Sequence, residues 1–273
     1  MRSRVERLLR FGDVPQREDQ QGSLDIDTRV DPEVAIPHPN KSIVEFLDFV
    51  SDVVPDGDVY LFGGVLRDVA LFGYRGFASD LDLVVEGDWD HCVKYLASLG
   101  AHQNKFGGFR LDVAGWPVDI WNATDTWAIR QGLVRYHGIA SLTETTVLNW
   151  DAILMNWRTG AFVCREGYLE DLRERTLDVV LVANPNPLGM IVRVFRHLCS
   201  KEARRVTSAA AKFLTESTTR YSYTDIVNAE RRSYGNSMIK RDTYKLFEQM
   251  NDSEATSFSL GAIEIHRGEL QLV

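Results

Sequence analysis

Apolar runs of strand length alternate with helical patterns over residues 41–182, and this alternation predicts the fold class. VYLF (59–62) and LDLVV (81–85) are short, apolar and β-prone, and the segment between them has a helical pattern. Residues 109–121 alternate apolar and polar positions around a Gly-Trp-Pro turn, which is typical of a β-hairpin. We therefore expect an α+β fold in which a mixed sheet is flanked by helices.

Outside this region the pattern is mainly helical. A short basic amphipathic helix is predicted near the N-terminus, and the polar, proline-containing stretch after it predicts a loop or a docked extension. The final residues, IEIHRGELQLV, predict a strand or hairpin. Over the whole chain, helices are predicted at 2–11, 43–54, 89–99, 223–234 and 237–250.

Composition excludes several classes of protein. The 273 residues are 44% hydrophobic, which indicates a folded chain with a sizeable core. No apolar run approaches the ~20 residues that cross a bilayer, and the charged N-terminus has no secretory h-region, so we expect a cytoplasmic protein without membrane contact. The widely separated Cys92, Cys164 and Cys199 fit a reducing compartment and have no zinc spacing. A net charge of −8 argues against indiscriminate binding to nucleic acid, although a local basic stripe can still attract RNA.

A glycine pair lies at the end of the first predicted strand. Gly63 and Gly64 join that strand to a helix whose first turns carry Arg67 and Asp68. Such a turn exposes backbone N–H groups at the positive end of a helix, which suits a phosphate, and Arg67 adds a fixed charge. A Gly-Gly turn alone is usually only a turn, so its meaning depends on the residues around it.

Two carboxylates, Asp80 and Asp82, lie at the start of the next predicted strand. They are two residues apart, so both side chains project from the same face. Neighbouring carboxylates are unfavourable unless a cation lies between them, and a divalent metal ion is the usual solution. A lone Asp-x-Asp is more often a solvated edge or a cap. The combination with the glycine turn, within one short β-turn-α-β segment, favours a site for a metal ion and a phosphate.

The composite of GGVLRD and SDLDLVV resembles the head-domain signature of the class II nucleotidyltransferases, which are the CCA-adding enzymes and bacterial poly(A) polymerases. This resemblance implies a polymerase-beta-like head that takes an NTP, such as ATP, as its substrate. It also implies that the glycine turn, with Arg67 and Asp68, lies against the nucleotide.

The same resemblance implies a third carboxylate on a later strand, beside Asp80 and Asp82. Asp119, within VDIW, matches that position, and Asp112 on the first arm of the hairpin is the alternative. The resemblance implies that Asp80, Asp82 and Asp119 are catalytic and hold two Mg²⁺ ions.

The resemblance also implies three regions along the chain. Residues 1–40 form an N-terminal helix and extension, and residues 41–182 form the catalytic head. Residues 183–273 form a small helical neck and body with a short C-terminal strand or hairpin.

Two departures from the family pattern affect the expected nucleotide contacts. The family's basic triplet is replaced by Thr143-Glu144-Thr145, and the acidic and arginine residues that read the base are not preserved at 184–189. Substitute contacts to the nucleotide are predicted for Arg130, Arg135, Arg193 and Arg196.

We therefore expect a metal-dependent nucleotidyltransferase that moves an NMP from an NTP to a hydroxyl and releases pyrophosphate. The first expected acceptor is an RNA 3′ end, with tRNA as the candidate. The alternatives are the same chemistry on a protein side chain, a small molecule or a second nucleotide, in a toxin or defence setting, and an inactive nucleotide-binding protein.

Overall fold

A computed structural model describes residues 1–12, 42–73, 77, 79–101, 103–104, 106–201, 203–251, 257–260 and 263–266. The predicted N-terminal extension lies largely outside these residues, as does the end of the predicted C-terminal hairpin. The described part of the chain forms two compact units. The first comprises residues 1–12, 42–146 and 151–166, and the second comprises residues 147–150 and those from 167 onwards.

A mixed six-stranded sheet forms the centre of the first unit. Its strands are β1 (Asp58–Phe62), β2 (Leu81–Glu86), β3 (Phe109–Val113), β4 (Trp116–Asn122), β5 (Ile153–Asn156) and β6 (Phe162–Cys164). The spatial order is β3-β4-β2-β1-β5-β6. Of these pairings, β2 with β4 is parallel and the others are antiparallel. The predicted mixed sheet and the predicted β3–β4 hairpin are confirmed, but the hairpin turns at Ala114 and Gly115, because Trp116 and Pro117 pair with β3 as part of β4.

The first unit also contains the helices α1 (Arg2–Phe11), α2 (Ile43–Asp52), α3 (Gly64–Phe72), α4 (Trp89–Ser98) and the single-turn α5 (Trp127–Arg130). Of these, α2 and α3 pack against this sheet. The helix α2 begins where predicted because the Ser42 hydroxyl accepts a hydrogen bond from the Glu45 N–H at 3.2 Å. Both α2 and α3 contact β1, and α3 also contacts β2 and β5. These helices thus bury one face of the central strands.

The other face of the sheet has its own apolar cluster. Because side chains alternate along a strand, Tyr60 and Phe62 of β1 share a face with Val84 of β2. These side chains are buried together with Ala123 and Leu142 from the segment after β4. That segment therefore covers part of this face, and the acidic residues of β2 and β4 lie on the same face.

The second unit is mainly helical and also contains a small sheet. Its helices are α6 (Tyr168–Glu174), α7 (Pro187–Ser200), α8 (Ser208–Arg220), α9 (Tyr223–Tyr234) and α10 (Arg241–Met250). Its strands are β7 (Thr176–Leu177), β8 (Arg205–Val206), β9 (Ser257–Leu260) and β10 (Ile263–His266), in the order β7-β8-β10-β9. The helix at 223–234 is confirmed, whereas the predicted helix at 237–250 begins only at Arg241. No helix in the described part of the chain is long and apolar enough to span a bilayer.

Candidate active site

The Gly63-Gly64 turn ends β1 and begins α3, as the sequence predicts. Gly63 has φ 60° and ψ −110°, a backbone conformation that is essentially restricted to glycine. Its N–H donates to the Ile153 carbonyl at 2.9 Å, and its carbonyl accepts from the Leu66 and Arg67 N–H groups at 3.0 Å. The chain can therefore reverse sharply from strand to helix, and α3 begins directly at the end of β1.

Arg67 lies beneath this turn and is buried. Only 1% of its side chain is exposed, its Nε donates to Asp68 Oδ1 at 2.8 Å, and its Nη1 donates to Asp151 Oδ1. A Cβ on Gly64 would lie 3.7 Å from the guanidinium. Arg67 thus bridges the carboxylates of Asp68 and Asp151 in a buried ion cluster beneath the turn. Asp68 orients the Arg67 guanidinium. The predicted contact of Arg67 and Asp68 with nucleotide stays a prediction.

Asp82 and Asp119 lie directly opposite each other on the parallel strands β2 and β4. Adjacent strands are about 4.8 Å apart, and residues in register point to the same face, so the two carboxylates are neighbours. Asp112, the alternative third acid, pairs with Pro117, and its Oδ1 accepts from the Gly115 N–H at 2.8 Å. The structure therefore places Asp119 beside Asp82 and places Asp112 at the hairpin turn.

The acid pair and the glycine turn are brought together by strand register. Phe62 of β1 lies opposite Asp82, which in turn lies opposite Asp119. Since Gly63 comes directly after Phe62, the turn begins next to the row that carries both acids. Trp121, two residues after Asp119, contacts Phe62 with ring centroids 6.1 Å apart. An aromatic floor thus borders the carboxylates on the same face.

Arg110 of β3 is the part of this site that the sequence interpretation missed. It lies opposite Asp119 in the antiparallel hairpin. Its Nη2 donates to Asp80 Oδ2 at 2.6 Å, and its Nε lies 3.9 Å from Asp119 Oδ1. The sequence interpretation missed this contact because a turn at Gly115-Trp116-Pro117 would set a different register, whereas the strands turn at Ala114 and Gly115, which pairs Arg110 with Asp119.

The electrostatics of the site result from this arrangement. Burial raises the pKa of Asp119 above its usual range, and the Arg110 guanidinium acts in the opposite direction. For Arg110, burial lowers the pKa, but Asp119, Asp80 and Asp82 raise it more strongly, so the pKa is raised overall. Arg110 therefore stays charged and lies in the field of all three acids.

A divalent cation such as Mg²⁺ requires oxygen ligands, and the site offers carboxylates. No group of three or more His, Cys, Asp or Glu side chains is arranged to hold a metal ion among the residues that the structure describes. Asp82 and Asp119 supply the neighbouring carboxylate oxygens that Mg²⁺ prefers, whereas Asp80 is bonded to Arg110. The residues fit a divalent cation at Asp82 and Asp119, and the predicted second ion stays a prediction.

Arg130 and Arg135 belong to the first unit and are exposed. Arg130, at the end of α5, donates from Nη1 to the Phe106 carbonyl at 3.2 Å. Its guanidinium therefore joins α5 to the loop before β3. The predicted nucleotide contacts of these two arginines stay predictions.

Arg193 and Arg196 belong to the second unit, on α7. The Arg196 guanidinium donates to Glu230 Oε1 at 2.7 Å and lies 4.0 Å from the centre of the Tyr234 ring. Glu230 is fully buried and also accepts from the Met238 N–H at 2.8 Å. Arg196 is thus part of a packed network, and the predicted nucleotide contacts of both arginines stay predictions.

Solved structures share the fold of this chain. A tRNA-processing enzyme in an apo form superposes with a TM-score of 0.55 and 16% identity, over 80% of this chain and 60% of that one. A tRNA nucleotidyltransferase complexed with a primer tRNA and an incoming ATP analog gives 0.54 and 16%, over 78% and 64%. The Thermotoga maritima CCA-adding enzyme complexed with tRNA-CCA gives 0.55 and 17%, over 76% and 50%. No protein-family model and no curated protein matches the sequence.

The chain has the fold of these three enzymes, one of which is a tRNA nucleotidyltransferase and another a CCA-adding enzyme. This finding confirms the predicted fold class and the resemblance to that head domain. The chain spans only 50–64% of the length of these three structures.

Proposed function

We propose that this protein is a metal-dependent nucleotidyltransferase that transfers an NMP from an NTP to the 3′ hydroxyl of an RNA, with tRNA as the candidate acceptor. This proposal rests on Phe62, Asp82 and Asp119, which lie side by side on the adjacent strands β1, β2 and β4. Their arrangement puts two carboxylates next to the turn at the start of α3, so a metal ion and a phosphate can be bound side by side.

The reaction requires one bond to form and one to break at the α-phosphorus of the NTP. The acceptor oxygen bonds to that phosphorus, the bond to the bridging oxygen breaks, and pyrophosphate leaves with its electron pair. A divalent ion bound by Asp82 and Asp119 would lower the pKa of the attacking hydroxyl and neutralise phosphate charge. The backbone N–H groups at the start of α3 bind and orient the phosphates.

The choice of tRNA rests on the fold neighbours, one of which is complexed with a primer tRNA and an ATP analog and another with tRNA-CCA. For this chain tRNA and NTP are proposed partners. The three cysteines are free thiols, which supports a reducing compartment such as the cytoplasm.

The direct test incubates the protein with each labelled NTP separately, Mg²⁺ and a tRNA pool. We expect label at the RNA 3′ end, and we expect Asp82→Asn and Asp119→Asn to lower incorporation by at least about 100-fold, because a metal-binding oxygen is lost. Asp112→Asn is the matched control, since Asn keeps the oxygen that accepts from Gly115, and it should stay within about threefold. No label in RNA, beside an active control enzyme, would contradict the proposal.

A second acceptor class is favoured by the acidic balance of the chain. The net charge of −8 suits an acceptor that carries less charge than tRNA. The chemistry would then act on a protein side chain, a small molecule or a second nucleotide. Label that moves from the NTP into one of these, with none in RNA, would decide for this alternative.

A further inference from the structure

Arg110 occupies the space between the acids that were expected to bind metal. Its guanidinium is 2.6 Å from Asp80 Oδ2 and 3.9 Å from Asp119 Oδ1. The side chain is 40% exposed, whereas that of Asp80 is 9% exposed. Arg110 therefore reaches the buried Asp80 from the solvent side, where an incoming cation would also have to approach.

The positive charge of Arg110 limits which further cations the site can bind. Asp80, Asp82 and Asp119 carry three negative charges when ionised, and all three raise the pKa of the Arg110 guanidinium. A second divalent ion would have to lie beside the Arg110 guanidinium, which repels it.

Strand register separates the two cation positions. Asp82 and Asp119 face each other across β2 and β4, and Arg110 is opposite Asp119 on the far side, on β3. Asp80 precedes β2 and is reached by Arg110 rather than by Asp119. The pair formed by Asp82 and Asp119 can thus hold a metal ion while Asp80 is neutralised by an arginine.

We propose that Arg110 takes the place of one of two divalent ions, so that the nucleotide-free site binds a single divalent ion at Asp82 and Asp119. This inference rests on the proposed function and concerns its metal content. Asp80 then serves as a positioning residue, which holds Arg110 over the acid pair.

The test counts bound Mn²⁺ by electron paramagnetic resonance on the full chain without nucleotide. We expect one Mn²⁺ per wild-type chain, one per chain for Arg110→Lys, which keeps the charge, and two per chain for Arg110→Gln. Arg173→Gln is the control, since Arg173 makes exposed pairs with Glu170 and Glu174, and it should bind one Mn²⁺. Thermal unfolding shows which variants are folded.

The outcomes separate this inference from the proposed function. Two ions in the wild type or in Arg110→Lys would overturn the inference alone, and these two proteins decide the matter even if Arg110→Gln fails to fold. A folded Arg110→Gln that still binds one ion, as tightly as the wild type, would also overturn it. No Mn²⁺ bound by any protein, together with no NTP turnover, would overturn the proposed function as well.

Discussion

Arg67 pairs with Asp151 across 84 positions of the chain, and both residues are buried under the Gly63-Gly64 turn. With Asp68 they form an ion cluster in which one guanidinium donates to two carboxylates. This arrangement ties the first turns of α3 to the segment that leads into β5. The turn proposed to bind phosphate is therefore held by a contact that is remote in sequence.

Substitution of one member of this ion cluster should lower the free energy of unfolding. We expect Asp151→Ala to lower the free energy of unfolding by about 1–3 kcal/mol, because the buried Arg67 Nη1 would lose its acceptor, although Asp68 would still pair with Arg67. Urea unfolding measures the loss. The double variant Arg67→Met/Asp151→Ala should lose less than the sum of the two single variants, since the two residues interact directly. A loss below about 1 kcal/mol for Asp151→Ala would contradict a buried ion pair.

The two glycines of the turn should respond differently to alanine. Gly63→Ala should destabilise by about 1–3 kcal/mol, because its positive φ is strained for any residue with a Cβ. Gly64→Ala should be neutral or slightly stabilising, since Gly64 is helical and a Cβ there finds ordinary contact distances of 3.7 and 3.9 Å. Thermal unfolding of the two variants compares them directly. Equal losses of stability in the two variants would show that backbone strain at Gly63 does not cause the destabilisation.

Substitution of Arg196, in the second unit, tests whether this residue has a structural role or contacts the nucleotide. Because it pairs with the fully buried Glu230, Arg196→Ala should lower the free energy of unfolding by about 3–5 kcal/mol. Arg193→Ala is the comparison, since Arg193 lies on the same helix and is only partly buried. If Arg196→Ala instead weakened NTP binding and left stability unchanged, the nucleotide contact predicted from sequence would be supported.

Local patterns predicted most of the site because most of it is local. The strand, glycine turn, helix and second strand between Asp58 and Glu86 are contiguous, and the β3–β4 hairpin needs only a short turn. Asp119 was assigned from the family resemblance. Arg110 was missed because the predicted Gly115-Trp116-Pro117 turn shifts the register of the hairpin away from the one that pairs Arg110 with Asp119.

Long-range pairings could not be predicted in this way. Asp151 gives no local sign that it will meet Arg67, because hydrophobic periodicity carries no information about which elements become neighbours. The strands β7 and β8 have two residues each, too few for any alternation to be visible. Glu230 is an isolated acid in a helical pattern, and its complete burial depends on partners from α7 and from the loop before α10.

Mg²⁺ binding should appear as a gain in stability that depends on the acid pair. An ion that binds only the folded chain stabilises it by about 1.4 kcal/mol at ten times its dissociation constant. We expect Mg²⁺ to raise the unfolding temperature of the wild type and EDTA to remove that increase. Asp119→Asn should abolish the increase because one of two facing carboxylates is lost, whereas Asp112→Asn should retain it, since Asp112 lies at the hairpin turn. A similar increase in both variants would show that the stabilising ion binds elsewhere on this acidic protein.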